Sequence, residues 1–139
     1  MSEEIKQVQD EQQDQGHGQP RVFVYGTLKK GHGNHGLLEN AEYLGDAEIS
    51  GPVALIDLGW YPGVVRQPNG PDRTIRGEVY AVDTDTLYSL DILEGHPEFY
   101  ERQKFATEFR NAWVYTLPPG YIEDDTDIIE EGVWNGSEG

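Results

Sequence analysis

The chain has 139 residues, 36 % of them hydrophobic and 11 % aromatic, enough for one modest core, so a single domain is expected. It contains no cysteine, which excludes a disulfide framework, thiolate metal sites and a cysteine nucleophile. Ten basic and 26 acidic residues give a net charge of −16. Residues 1–20 hold five acids and one base, and residues 118–139 hold seven acids and no base, so the ends carry most of that charge. A surface without Lys/Arg clusters is a poor match for nucleic-acid phosphates and for anionic membranes, so neither is an expected partner. No run of about 18 apolar residues is present to span a bilayer. The N-terminus shows no apolar signal segment, and a cytoplasmic protein is expected.

Residues 1–20 carry six glutamines and three apolar residues, too few to offset the entropy of ordering them. They form an expected disordered polar tail. The core is expected over residues 21–117, followed by an acidic C-terminal segment, 118–139, partly docked through Trp134. Arg21-Val22-Phe23-Val24-Tyr25 is β-branched and aromatic and predicts a strand buried on both faces. It ends at Gly26-Thr27-Leu28. Residues 41–49 and 53–57 predict two strands around Gly51-Pro52. Trp60-Tyr61-Pro62-Gly63 predicts a turn, with a short strand over 64–66 and a longer one over 75–82. Asp83 is the expected N-cap of the only convincing helix, which runs to about Glu94, with Gly95 as its terminator. Residues 103–109 and 112–116 predict the last two strands, around Arg110-Asn111. Many short strands with one good helix indicate an α+β protein with a barrel-like, strongly curled sheet.

Gly31-His32-Gly33-Asn34-His35-Gly36 matches the dinucleotide fingerprint by letter only. That fingerprint needs a strand directly before it and a helix directly after it, inside a βαβ unit. Neither is expected here. His32 and His35 have no carboxylate at metal-ligand spacing, so a loop is expected and no metal. Asn135-Gly136-Ser137 is a glycosylation sequon by letter, without function in a protein that is not secreted.

Two features carry more chemistry. At 100° per residue, Leu87, Leu90 and Leu93 share one helix face, and Glu94 falls between Leu87 and Leu90 on it. A carboxylate aimed at a core is costly unless it is paired, neutral or lining a cavity. Glu94 therefore either sits in water at a frayed last turn, pairs with Arg102, or faces a cleft where it can act as a general base near neutral pH. The second feature is Tyr25-Gly26-Thr27-Leu28. A strand ending in this way is either an ordinary exit or a turn whose backbone N–H groups bind an oxyanion.

Together with other segments in order, these features resemble the γ-glutamylcyclotransferase-like superfamily, most closely its short γ-glutamylamine cyclotransferase and AIG2-like branch. VFVYGTLKKG resembles the family's opening strand and substrate loop. Asn34-His35 with Leu37-Leu38, Tyr61-Pro62-Gly63-Val64-Val65 and Gly77-Glu78-Val79-Tyr80 resemble its continuation. Leu90-Asp91-Ile92-Leu93-Glu94-Gly95 with Tyr100-Glu101-Arg102, Ala112-Trp113-Val114-Tyr115 and Gly132-Val133-Trp134 resemble the rest. The match spans residues 21–134, and residues 1–20 have no counterpart.

The resemblance implies a small closed mixed β-barrel with flanking helices. It implies an enzyme that cyclises a γ-glutamyl group to 5-oxoproline and releases an amine or amino acid, without metal, cofactor or covalent nucleophile. It assigns Glu94 as the base and Tyr25, Gly26, Thr27 and Leu28 as the grip on the small γ-glutamyl substrate. Tyr100 and Tyr115 either line the pocket or pack in the core, and Arg102 is a candidate to orient Glu94. The alternatives are a non-catalytic small-molecule binding protein on the same fold, or a protein acting through its acidic tails. No partner protein is implied.

Overall fold

The computed structural model describes residues 19–121 and 128–135. Most of the expected N-terminal tail, part of the acidic segment and the sequon serine lie outside the described residues. The strands are β1 (Arg21–Val24), β2 (Glu42–Gly51), β3 (Val53–Asp57), β4 (Pro62–Arg66), β5 (Arg73–Ala81), β6 (Glu101–Thr107) and β7 (Arg110–Leu117). One helix, α1 (Thr84–Glu94), lies between β5 and β6, and single 3-10 turns occur at His35–Leu38 and Pro119–Tyr121. No helix among the described residues is long and apolar enough to cross a membrane.

The strands form one curled mixed sheet in the order β2-β5-β1-β7-β4-β3, with β6 added to β7 off this path. The class is the expected α+β, and among the described residues the sheet is a half-barrel with one flanking helix where the resemblance implies a closed barrel with flanking helices. Within β1, Val22 and Val24 enter one core cluster and Phe23 the other, as the two-residue period of a strand requires. All three are at most 2 % exposed, so β1 is buried on both faces. The 3-10 turn at His35–Leu38 follows β1 and leads into β2, so the glycine-rich stretch has no βαβ setting. Pro62, expected in a turn, instead opens β4, opposite Asp57 of β3.

The two edges of β7 are used differently. One is occupied along its length by β6, from Thr107 opposite Arg110 to Glu101 opposite Thr116. The other is shared by two parallel strands. β1 pairs there at Trp113, and β4 pairs at Thr116 and Leu117. β1 and β4 therefore diverge between these points and leave a fork at Tyr115. The Tyr25 hydroxyl fills it, donating to the Tyr115 carbonyl at 2.6 Å and accepting from the Val64 N–H at 3.1 Å. Two buried backbone groups that a continuous ladder would pair are thereby satisfied by one side chain.

The caps of α1 are those the sequence predicts. Asp83 accepts from the Thr86 N–H at 2.7 Å, and Gly95 takes the left-handed conformation, φ 70°. The His96 N–H reaches the Asp91 carbonyl at 2.9 Å and the Gly95 N–H reaches Ile92 at 3.2 Å, which closes the helix in a Schellman motif. Glu94 is thus fixed as the last helical residue. Residues 128–135 return to the sheet. The Ile129 N–H donates to Leu55, the Arg76 N–H donates to Gly132, and Trp134 is 4 % exposed within the second core cluster.

Candidate active site

The fork between β1 and β4 opens into a cavity of about 390 Å³. Its walls bring together the residues that the sequence singles out from distant segments: Tyr25, Gly26, Thr27 and Leu28 after β1, Glu94 at the end of α1, and Tyr100 and Tyr115.

Glu94 faces this cavity in company with Leu93. The predicted apolar helix face is a core stripe at Leu90, which is fully buried, and becomes a cavity wall at Leu93, which is 41 % exposed. Among the described residues no cation or hydrogen-bond donor meets the Glu94 carboxyl, and burial alone pushes its pKa up to about 7. The frayed-end and Arg102-paired alternatives are both set aside by this placement. Arg102 instead forms a two-pronged ion pair with Asp91, Nε to Oδ1 at 2.7 Å and Nη2 to Oδ2 at 3.0 Å. Arg102 comes from β6 and so reaches α1 from the side of Asp91. It does not orient Glu94 directly.

Asp91 has a further partner, the Tyr115 hydroxyl, which donates to Oδ1 at 2.7 Å. Burial works to raise the Asp91 carboxyl, but the hydrogen bonds from Arg102 and Tyr115 and the Arg102 charge outweigh it and hold the group below its ordinary value. Burial first, and then the bond to Asp91, push the Tyr115 phenol far up. Tyr100 is anchored as well, its hydroxyl donating to the Pro62 carbonyl at 2.6 Å. Both tyrosines are thus buried cavity walls whose hydroxyls are tied to the frame. Tyr25 is also held neutral, by burial and then by the nearby Tyr100 and Glu94.

The loop after β1 is a tight turn closed by the Lys29 N–H on the Gly26 carbonyl at 3.0 Å. Gly26 is required by its neighbour rather than by a left-handed backbone, since a Cβ there would lie 2.7 Å from the ring of Pro62. The glycine-rich stretch braces the turn from behind. The Asn34 N–H donates to the Thr27 carbonyl, and the Asn34 amide donates to the Thr27 hydroxyl, both at 2.9 Å. His35 Nδ1 meets the Leu28 carbonyl at 2.9 Å, and His32 packs on Trp134. Among the described residues the N–H groups of Gly26, Thr27 and Leu28 donate to no protein atom. Adjacent free N–H groups of this kind suit an anion. No cluster of three or more His, Asp or Glu able to hold a metal occurs among the described residues.

Four contributors have roles that the sequence does not assign. Asn34 lies in the glycine-rich stretch, but its role as a brace depends on the turn geometry. Asp91 lies one turn before Glu94, a spacing that does place both toward one side of a helix. Trp60 and Phe99 form the cavity mouth, and nothing in their local sequence marks them for it.

A curled mixed sheet forks around a tyrosine, and one cavity is lined by both a helix-terminal glutamate and a turn of backbone N–H groups. The sequence matches the family described as gamma-glutamyl cyclotransferase, AIG2-like, over residues 22–136, and the chain belongs to that family. A Vibrio cholerae protein is 46 % identical over 113 residues, covering 81 % of this chain and 93 % of the relative. The gamma-glutamylcyclotransferase family protein YtfP of Escherichia coli K12 is 40 % identical over 114 residues, 82 % of this chain and 95 % of that one. Among solved structures, a mouse AIG2-like protein superposes with a TM-score of 0.70 at 25 % identity, covering 86 % of this chain and 90 % of that chain. The solution structure of Escherichia coli YtfP gives 0.61 at 37 % identity, with 82 % and 95 % covered.

Proposed function

We propose that the chain is a γ-glutamylamine cyclotransferase-like enzyme that converts a γ-glutamyl amide to 5-oxoproline and a free amine. The observation that carries this reading is Glu94, a carboxyl that lines the cavity and meets no protein partner among the described residues. The substrate α-carboxylate is held by the N–H groups of Gly26, Thr27 and Leu28, which lets an acidic protein bind an anion without a basic side chain. The walls of Tyr25, Tyr100 and Tyr115 hold the glutamyl chain bent, so that its α-amine lies against its own γ-carbonyl and effective molarity is high.

The reaction then needs only proton transfers. The α-ammonium gives a proton to the Glu94 carboxylate, and the freed amine attacks the γ-carbonyl carbon to form the five-membered ring. The bond from that carbon to the leaving nitrogen breaks as Glu94 returns the proton to that nitrogen, and the second proton that the ring nitrogen sheds on becoming a lactam N–H passes through Glu94 to the departing amine, which leaves as an ammonium. The pKa of Glu94 near 7 suits both halves of this exchange. The Asp91–Arg102–Tyr115 network positions the helix end and the Tyr115 wall without titrating in the working range. Residues 21–117 form the unit that carries this chemistry, and Trp134 of the acidic segment is buried in its second core cluster.

The test is 5-oxoproline release from a panel of γ-glutamyl amides and γ-glutamyl amino acids. Turnover of at least one compound is expected. Binding by calorimetry without any release across the panel would replace this reading with a binding protein on the same fold.

A further inference from the structure

The two ends of the cavity differ in a way that bears on the leaving group. The inner end holds Leu28, Tyr100 and Tyr115, each at most 5 % exposed. The mouth is made by Trp60, Tyr61, Leu93 and Phe99, of which Trp60 is 81 % exposed, Leu93 41 % and Tyr61 39 %. Trp60 is held outward by a short hairpin turn. The Leu58 N–H bonds the Tyr61 carbonyl at 2.9 Å, Asp57 accepts from the Gly59 N–H at 2.8 Å, and Gly59 has φ 108°. Tyr61 and Phe99 stand edge to face at 6.4 Å across the opening, and Phe99 meets Tyr100 at 4.8 Å. An exposed tryptophan beside two aromatic rings and a leucine is apolar surface that binding would cover.

Among the described residues no lysine, arginine or histidine lines the cavity. Arg102 is committed to both oxygens of Asp91, and Lys29 donates to the Trp134 carbonyl at 2.8 Å. The anion-binding turn at Gly26, Thr27 and Leu28 is taken up by the substrate's own α-carboxylate in the proposed reaction. A second carboxylate, on the departing part of the substrate, would enter an aromatic mouth with no cation to meet it, on a protein of net charge −16.

Resting on the proposed cyclotransferase function, we infer that Trp60, Tyr61, Leu93 and Phe99 form a leaving-group arm selecting an arylalkyl amine that bears no carboxylate, rather than an amino acid. Trp60 is the specificity-determining residue of this arm, because its face is the largest apolar surface the mouth offers.

Three probes test it: the γ-glutamyl amides of 2-phenylethylamine and of ethylamine, and γ-glutamylphenylalanine, which differs from the first by one carboxylate. The phenylethylamide is expected to exceed γ-glutamylphenylalanine in kcat/KM by about tenfold or more, and the ethylamide by about tenfold. Trp60→Ala is expected to shrink the phenylethyl-to-ethyl ratio through KM. Equal or better turnover of γ-glutamylphenylalanine, or a ratio unchanged by Trp60→Ala, overturns the arm. Calorimetry with the same probes separates the two ideas. Binding in the predicted order without 5-oxoproline release keeps the arm and removes the reaction, whereas release without that order does the reverse.

Discussion

Asp91 and Glu94 lie one helical turn apart on α1, and their carboxyl groups are driven in opposite directions. Asp91 is held below its ordinary pKa by Arg102 and Tyr115 against the pull of burial, while Glu94, shifted by burial alone, rises to about 7. In the proposed reaction the two carboxylates of one helix take different tasks, one as a permanent anchor and one as a proton carrier. The cause is geometric: Arg102 on β6 reaches Asp91 with two hydrogen bonds and leaves Glu94 to the cavity.

In the proposed reaction Glu94 sets the pH dependence of turnover. Its protonated form cannot accept a proton from the substrate, so kcat/KM is expected to fall about tenfold per pH unit below a limb near 7. A profile flat from pH 5 to 8 would remove Glu94 as the base.

The same shift has an opposite signature in stability. The folded carboxyl has its pKa near 7 against an ordinary 4.5, so between these values the folded state binds more protons than the unfolded one. Stability from this group is therefore full below about 4.5 and is lost as pH rises through 7. Relative to Glu94→Gln, the wild type should lose up to about 3 kcal/mol over that window. Urea unfolding of both proteins across the window measures it, and a difference independent of pH contradicts it.

Asp91→Asn leaves Arg102 without its carboxylate, in a pair whose side chains are 19 % and 17 % exposed. A loss of about 2–4 kcal/mol in urea unfolding is expected. The acid limb of kcat/KM should stay where it is, because the Glu94 shift comes from burial and not from this ion pair. Movement of that limb would mean that the network tunes the base rather than holding the frame.

Gly26→Ala places a methyl group against the Pro62 ring, where the gap is 2.7 Å. The turn or the proline must move, so the affinity for γ-glutamyl ligands should drop roughly tenfold or more, and Gly26→Val should abolish binding. Calorimetry reads this directly. Unchanged affinity in a folded variant would take the turn out of the site.

Much of this was legible in the sequence because the signals are local. The burial of β1 follows from its β-branched and aromatic run, and the end of α1 from Asp83 and Gly95. The spacing of Glu94 to Leu90 narrows its outlook to water, Arg102 or a cleft, and the cavity beside the helix end decides among them. What was not legible depends on long-range register. That Arg102 reaches Asp91 and not Glu94 is set by how β6 lies beside α1. That Tyr25 bridges Val64 and Tyr115 is set by two strands sharing one edge of β7. Trp60 looks like an ordinary turn residue until the fork between β1 and β4 places the cavity beside it.

The central claim is that Glu94 carries the proton in ring closure. The measurement that tests it most directly is 5-oxoproline release by wild type and Glu94→Gln, side by side on the same γ-glutamyl amide, with circular dichroism to show that both are folded. The account predicts a loss of at least about a hundredfold in the variant with its fold intact. Equal release by the two proteins would contradict it.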